Sequence, residues 1–174
     1  MSGRTWVCAD HHIGHRNILN FKRTDGTLLR PFNTIEEHDE TIIERHNRVV
    51  QPTERVYMLG DVSINRHCLH LLSRLNGRLV LVKGNHDIFK LKDYLPYFDD
   101  IRAYVVQKDQ DGNKVILSHI PIHPDSVGRF GTNIHGHLHD GTINDPRYIC
   151  VSMEHINYQP ITISEALKLR KLRE

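Results

Sequence analysis

Gly84-Asn85-His86-Asp87 sets an amide, an imidazole and a carboxylate in three successive positions. The motif follows Leu79-Val80-Leu81-Val82-Lys83, a continuous apolar run that reads as a buried strand. None of these polar groups belongs in a core unless it is satisfied. Together they offer a neutral oxygen ligand, a proton donor and a group able to orient that donor. A loop just past a strand end is where open α/β sheets place their sites. The pattern of a strand followed by a polar cluster occurs four more times. Asp10-His11-His12 follows residues 4–9, and Asp10 and His12, two apart, share a side in extended backbone. Gly60-Asp61 follows residues 55–59, and Ser118-His119 follows residues 114–117. His135-Gly136-His137-Leu138-His139 follows residues 131–134, with His137 and His139 again on one side.

Collected, Asp10, His12, Asp61, Asn85, His86, His119, His137 and His139 hold two carboxylates, one amide and five imidazoles. Singly, each piece has a plainer reading: Asp61 as a helix cap, for example, or Asp10 and His12 as a polar loop. As a set, they suit Zn, Mn or Fe better than Mg or Ca, which prefer oxygen alone. They also exceed what one four- to six-coordinate ion needs. A two-metal site is the economical reading, with ions about 3.5–4 Å apart placed for in-line displacement at phosphorus. Two divalent ions would carry about four positive charges and the two carboxylates cancel half, so the remainder favours an anionic ester.

The elements that must position these groups read as an α/β chain. A helix begins at a capping box, Thr34 and Glu37, and carries Ile42, Ile43, His46, Val49 and Val50 at helical spacing until Pro52. His46 falls on its apolar face and reads as a core-edge residue rather than a ligand. A second helix is expected over 65–75 and a short segment over 88–94. Residues 101–107 and 114–117 flank Asp111-Gly112 as a hairpin. A last strand spans 147–151, and a terminal helix is capped by Thr162 and Glu165. Its Leu167, Leu169 and Leu172 face inward, while Lys168, Arg170, Lys171 and Arg173 form a solvated face rather than a nucleic-acid patch.

The 174 residues suit one domain over 1–174, and a net charge of +2 gives no argument for nucleic acid. Fourteen histidines is an unusual count for this length. Three cysteines, Cys8, Cys68 and Cys150, lack CxxC spacing, which argues against a disulfide framework and for a reducing, cytoplasmic setting. Cys8 and Cys150 fall in expected strands and read as small core residues. Neither an N-terminal signal region nor a long apolar segment appears, so no membrane partner is expected.

The ordered set is specific where its pieces are not. Asp-x-His, Gly-Asp, Gly-Asn-His-Asp, a lone His and Gly-His-x-His, each at a strand end, closely resembles the calcineurin-like metallophosphoesterase superfamily, especially its small bacterial and phage members. The blocks span Asp10 to His139. The resemblance implies two mixed β-sheets packed as a sandwich and flanked by helices. It implies a di-metal-dependent phosphohydrolase in which a metal-activated hydroxide attacks a phosphoester. The cofactors would be two divalent transition-metal ions, Mn²⁺ foremost, with Fe, Zn, Ni or Co as the others. Asp10, His12, Asp61 and His139 would hold one ion; Asp61, Asn85, His119 and His137 the other, with Asp61 bridging. His86 would stabilise the transition state or protonate the leaving oxygen, and Asp87 would orient His86. One departure stands out: many members have a second Asp soon after Gly-Asp, where this chain reads Val62-Ser63-Ile64-Asn65.

Arg30, Arg129 and His11 are candidate substrate contacts, set against an ordinary surface or loop role for each. His15 and His123 also adjoin ligand blocks. The substrate reading leans to phosphodiesters or nucleotides, including nucleic-acid-derived ones. The alternatives are a phosphomonoesterase or protein phosphatase and, in another class, a non-catalytic binding module. A metallo-β-lactamase fold, suggested by His135-x-His137-x-His139, would want an Asp-His pair next. Gly141 follows Asp140 instead, and that fold would leave Gly84-Asn85-His86-Asp87 unexplained.

Overall fold

The computed structural model describes residues 4–169. Two mixed sheets stack face to face with helices around them. The first is ordered β4-β3-β2-β1-β9, from β1 (Thr5–Cys8), β2 (Arg55–Met58), β3 (Arg78–Val82), β4 (Asp100–Arg102) and β9 (Ile161–Thr162). β1 to β4 are parallel and β9 is antiparallel to β1. The second is ordered β5-β6-β7-β8, from β5 (Val105–Lys108), β6 (Lys114–Ser118), β7 (Thr132–His135) and β8 (Tyr148–Cys150), with only β5 antiparallel.

Burial follows sequence pattern. The central strands of the first sheet are apolar and buried at successive positions, as expected of parallel strands covered on both faces. In the second sheet the side chains alternate. Val115, Leu117, Ile134 and Ile149 join the core between the sheets, whereas Ile116, Asn133 and Tyr148 do not. α1 (Ile35–Val49) brings Ile42 and Ile43 into the same core, and α4 (Ile163–Leu169) packs on β1 and β8. The short helices α2 (Leu91–Tyr94) and α3 (Pro124–Val127) lie in connections. Thr34 caps α1 by accepting from the Glu37 amide at 3.0 Å. Glu37 Oε2 returns to the Asn33 amide rather than to that of Thr34, a variant of the expected box.

Register aligns the strand ends. Cys8 pairs with Met58 and Met58 with Leu81. In the second sheet Ser118 pairs with His135 and His135 with Cys150. The sheets are stitched together at this edge, where Ala9 donates to Val151 O at 3.0 Å and Met153 to Ala9 O at 3.1 Å. All five polar clusters therefore emerge along one rim.

Three expectations change. The expected strand over 101–107 splits, with β4 serving the first sheet and β5 the second. The open edges of β3 and β6 both need backbone partners, and one stretch of chain supplies both by crossing at Ala103 and Tyr104. The helix over 65–75 is a 3-10 helix, Arg66–Arg74, capped by Asn65. β9 was not expected at all; two residues are too few to show a period. Arg170, Lys171, Leu172 and Arg173 lie outside the described residues. The three cysteines are free, and Cys8 and Cys150 are buried in strands as expected. Among the described residues no helix is long and apolar enough to cross a membrane.

Candidate metal centre

Five of the seven candidate ligands have left-handed backbones: Asp10 (φ 60°), His12 (φ 51°), Asp61 (φ 53°), His137 (φ 71°) and His139 (φ 51°). Side-chain-bearing residues avoid this region at a cost of about 1–3 kcal/mol each, and such strain clusters at functional sites. Here it turns the chain sharply past the ends of β1, β2 and β7 and is held by the neighbouring backbone. The Asp10 amide donates to Gly60 O at 3.0 Å and the His12 amide to Asp61 O at 2.9 Å. Glycines leave room for the carboxylates. A Cβ on Gly84 would fall on Asp61 Oδ1, and one on Gly136 would fall on Asp10 Oδ2.

Two groups of ligand atoms result. Asp10, His12 and His139 place theirs within 4.8 Å of one another, and so do Asp10, Asp61 and His119. Asp61 faces both: Oδ2 lies 3.7 Å from His12 Nε2 and Oδ1 lies 3.4 Å from His119 Nε2. Asn85 Oδ1 sits 2.7 Å from His119 Nε2 and 2.9 Å from His137 Nδ1. Asp10 Oδ2 accepts from Ser152 Oγ at 2.6 Å and from the His137 amide at 2.9 Å.

What is left over points to cations. Asp10 Oδ1 and both ring nitrogens of His12 are buried without a hydrogen-bond partner. A buried polar group in that state costs free energy unless something absent from the chain satisfies it. Burial holds the His12 imidazole well below its ordinary pKa, which keeps it neutral with a free lone pair at neutral pH. Burial also lifts the Asp10 carboxyl. For Asp61, burial would raise the pKa, but the His119 hydrogen bond and charge outweigh it and keep the carboxyl ionised. Carboxylates, imidazoles and one amide, without thiolate, fit divalent transition ions.

No family model matches the chain. It is similar to the uncharacterized protein MJ1445 of Methanocaldococcus jannaschii, at 31% identity over 177 residues covering 95% of this chain and 90% of that protein. The chain belongs to the MJ1445 family. It is also similar to the gene 66 protein of Mycobacterium phage L5, at 33% identity over 88 residues, covering 48% of this chain and 39% of that protein. Among solved structures it is similar to AQ665 of Aquifex aeolicus, a protein of unknown function, with a TM-score of 0.75 and 26% identity over 96% of this chain and 99% of that one.

Beyond the ligands, several residues take roles other than those expected. Asp87 does not orient His86. Its buried carboxylate accepts from the amides of Asp61 (2.9 Å), Gly84 (2.8 Å) and Val62 (3.0 Å), so it shapes the Asp61 turn. Three converging backbone donors outcompete an imidazole that faces solvent. His86 itself is exposed, with its ring 5.8 Å from that of His12. Arg30 is not a substrate clamp, because it is fully buried. It donates to Glu154 Oε1 (2.8 Å), His11 O (2.8 Å), His38 Nε2 (2.8 Å) and Asp10 O. His11 is also fully buried, so it cannot meet substrate. Arg129 is exposed in the turn after α3. His15 is half-buried, its ring 5.5 Å from that of His12, and His123 is exposed.

Glu154 and Ser152 escaped the sequence reading. Ser152 and Glu154 lie two and four residues past β8, a sixth strand end with the same polar alternation. Glu154 Oε1 lies 3.1 Å from His139 Nδ1 and fixes that ring from behind. A buried chain then runs to α1. Because Arg30 can only donate, His38 Nε2 accepts and its Nδ1–H donates to Asp39 Oδ1 at 2.8 Å. Asp39 Oδ2 in turn accepts from the Gly14 amide at 2.9 Å. Ser63 donates to Ile13 O at 2.7 Å and ties the Asp61 loop to the His12 loop.

Proposed function

We propose that this protein is a di-metal-dependent phosphohydrolase of the calcineurin-like metallophosphoesterase superfamily, acting on phosphodiester or nucleotide substrates. The placement of Asp61 between His12 and His119 carries the reading. A carboxylate facing two imidazole clusters is what a bridged pair of ions requires. The sandwich with its ligands along one rim is the architecture expected of that superfamily. Asp10, His12, Asp61 and His139 would hold one ion, and Asp61, Asn85, His119 and His137 the other. When bound, such ions supply Lewis acidity toward a phosphoryl oxygen and draw the pKa of a water toward neutrality.

The chain's own groups do the rest. Asp10 and Asp61 cancel about half the cationic charge and leave the centre attractive to an anionic ester. His86 stands exposed at the mouth, where its imidazole N–H can reach the leaving oxygen and deliver a proton. Asn85 is exposed beside it, so the mouth is open enough for the second substituent of a diester. The free thiols of Cys8, Cys68 and Cys150 suit a reducing, cytoplasmic setting.

Metal-stripped protein assayed on bis(p-nitrophenyl) phosphate and p-nitrophenyl phosphate, with and without Mn²⁺, tests the reading. Metal-dependent cleavage of the diester is expected. Cleavage of the monoester alone would replace the diesterase reading with a phosphatase. No metal-dependent cleavage of either would overturn the enzyme assignment.

A further inference from the structure

A cavity of about 540 Å³ opens beside the ligand cluster, within the usual size of small-molecule sites. Asn85 and His119 belong to both. The rest of its lining is mainly apolar, with Tyr104, Ile116, Ile120, Ile122 and Phe130 as the large apolar side chains. The alternation in β6 makes its floor: Val115 and Leu117 enter the sandwich core, and Ile116 is buried on the outer face. Tyr104 is 57% exposed and Ile120 is 52% exposed. The crossover between sheets fixes Tyr104, because its neighbours in β4 and β5 are locked in two different ladders. Large apolar groups held in water around a buried isoleucine floor mark a ligand-binding surface.

We propose that this cavity seats the planar aromatic group, a nucleobase or its aryl equivalent, of a phosphoester whose phosphate lies on the Asn85–His119 side. The proposal rests on the phosphohydrolase reading above and narrows its substrate class. Two aromatic side chains, Tyr104 and Phe130, offer faces or edges on which a flat ring packs. Lys83 and Ser126, also in the lining, supply donors for the ring's acceptor atoms. No carboxylate lines the cavity, so nothing in it repels an anion. Because the cavity is continuous with the ligand cluster, one molecule can fill both without a linker.

Phenylphosphonate and methylphosphonate test this. Both carry a carbon–phosphorus bond that a phosphoesterase does not hydrolyse, and they differ in the ring alone. Calorimetric titration of Mn²⁺-loaded protein should show phenylphosphonate binding about tenfold tighter or more. The gap should close in Tyr104→Ala and in Phe130→Leu, two variants whose fold is checked by circular dichroism. Equal affinities in the unsubstituted protein, or a gap that survives both substitutions, overturns the aromatic seat while leaving the anion site standing. Binding of neither phosphonate also overturns it, and bis(p-nitrophenyl) phosphate hydrolysis then decides separately whether the phosphohydrolase reading survives.

Discussion

The carboxylate of Asp61 divides between two histidines, Oδ2 3.7 Å from His12 Nε2 and Oδ1 3.4 Å from His119 Nε2. The two oxygens thus face histidines of different ligand groups, so removing the side chain is expected to disturb both. On the two-metal reading proposed above, Asp61→Ala is expected to lose both metals and the hydrolytic activity together. Metal content by inductively coupled plasma mass spectrometry decides it. A variant that still holds two ions would end the bridging role of Asp61.

His86 differs from the ligands in being exposed and held through its backbone, its amide donating to Asp61 Oδ1 at 2.8 Å. That bond survives truncation of the ring. His86→Ala should therefore keep full metal content while turnover falls by roughly 10²-fold or more. The loss should shrink for esters with good leaving groups, which need no proton. A uniform loss across leaving groups would assign His86 to substrate binding instead.

These two residues were legible in the sequence because the ligand blocks are local: each is a short motif at the end of an apolar run. The strands and the capped α1 were legible for the same reason. Arg30 and Asp87 were not. Arg30 sits in a loop that looks solvated, and its burial depends on Glu154, 124 positions away. Asp87 adjoins His86 in sequence, but its side chain turns to amides on another strand end. Long-range pairing has no period to read, so a polar residue's partner emerges only with the fold. The same applies to residues 101–107, whose pattern fits one strand whether it serves one sheet or two.

Arg30 and Glu154 form a fully buried ion pair, and losing one partner strands the other in the interior. Arg30→Ala should cost about 3–5 kcal/mol in urea unfolding. A change in KM with unchanged stability would restore Arg30 as a substrate contact. Glu154→Gln separates support from charge, since it keeps the shape but weakens the hold on His139. Mn²⁺ affinity measured by calorimetry should fall about 10–100-fold. Unaltered affinity would reduce Glu154 to a packing role.

His46 lies on the buried face of α1, with Nε2 donating to Asn76 O at 2.8 Å and Nδ1 unpartnered. Burial lowers its pKa from 6.5 to about 4. Above pH 6.5 the ring is neutral in both states and pH does not matter. As pH falls below 6.5 the unfolded chain takes up a proton that the folded chain refuses until about pH 4. Stability should therefore decline through that window, by roughly 3 kcal/mol from this residue. His46→Gln keeps a donor for Asn76 O and removes the titration. Urea unfolding at pH 7 and pH 4.5 should show a smaller loss in the variant than in the unsubstituted protein. Other buried histidines such as His11 contribute in the same direction, so part of the decline should remain. Identical losses in the two proteins would show that His46 is not held neutral by the fold.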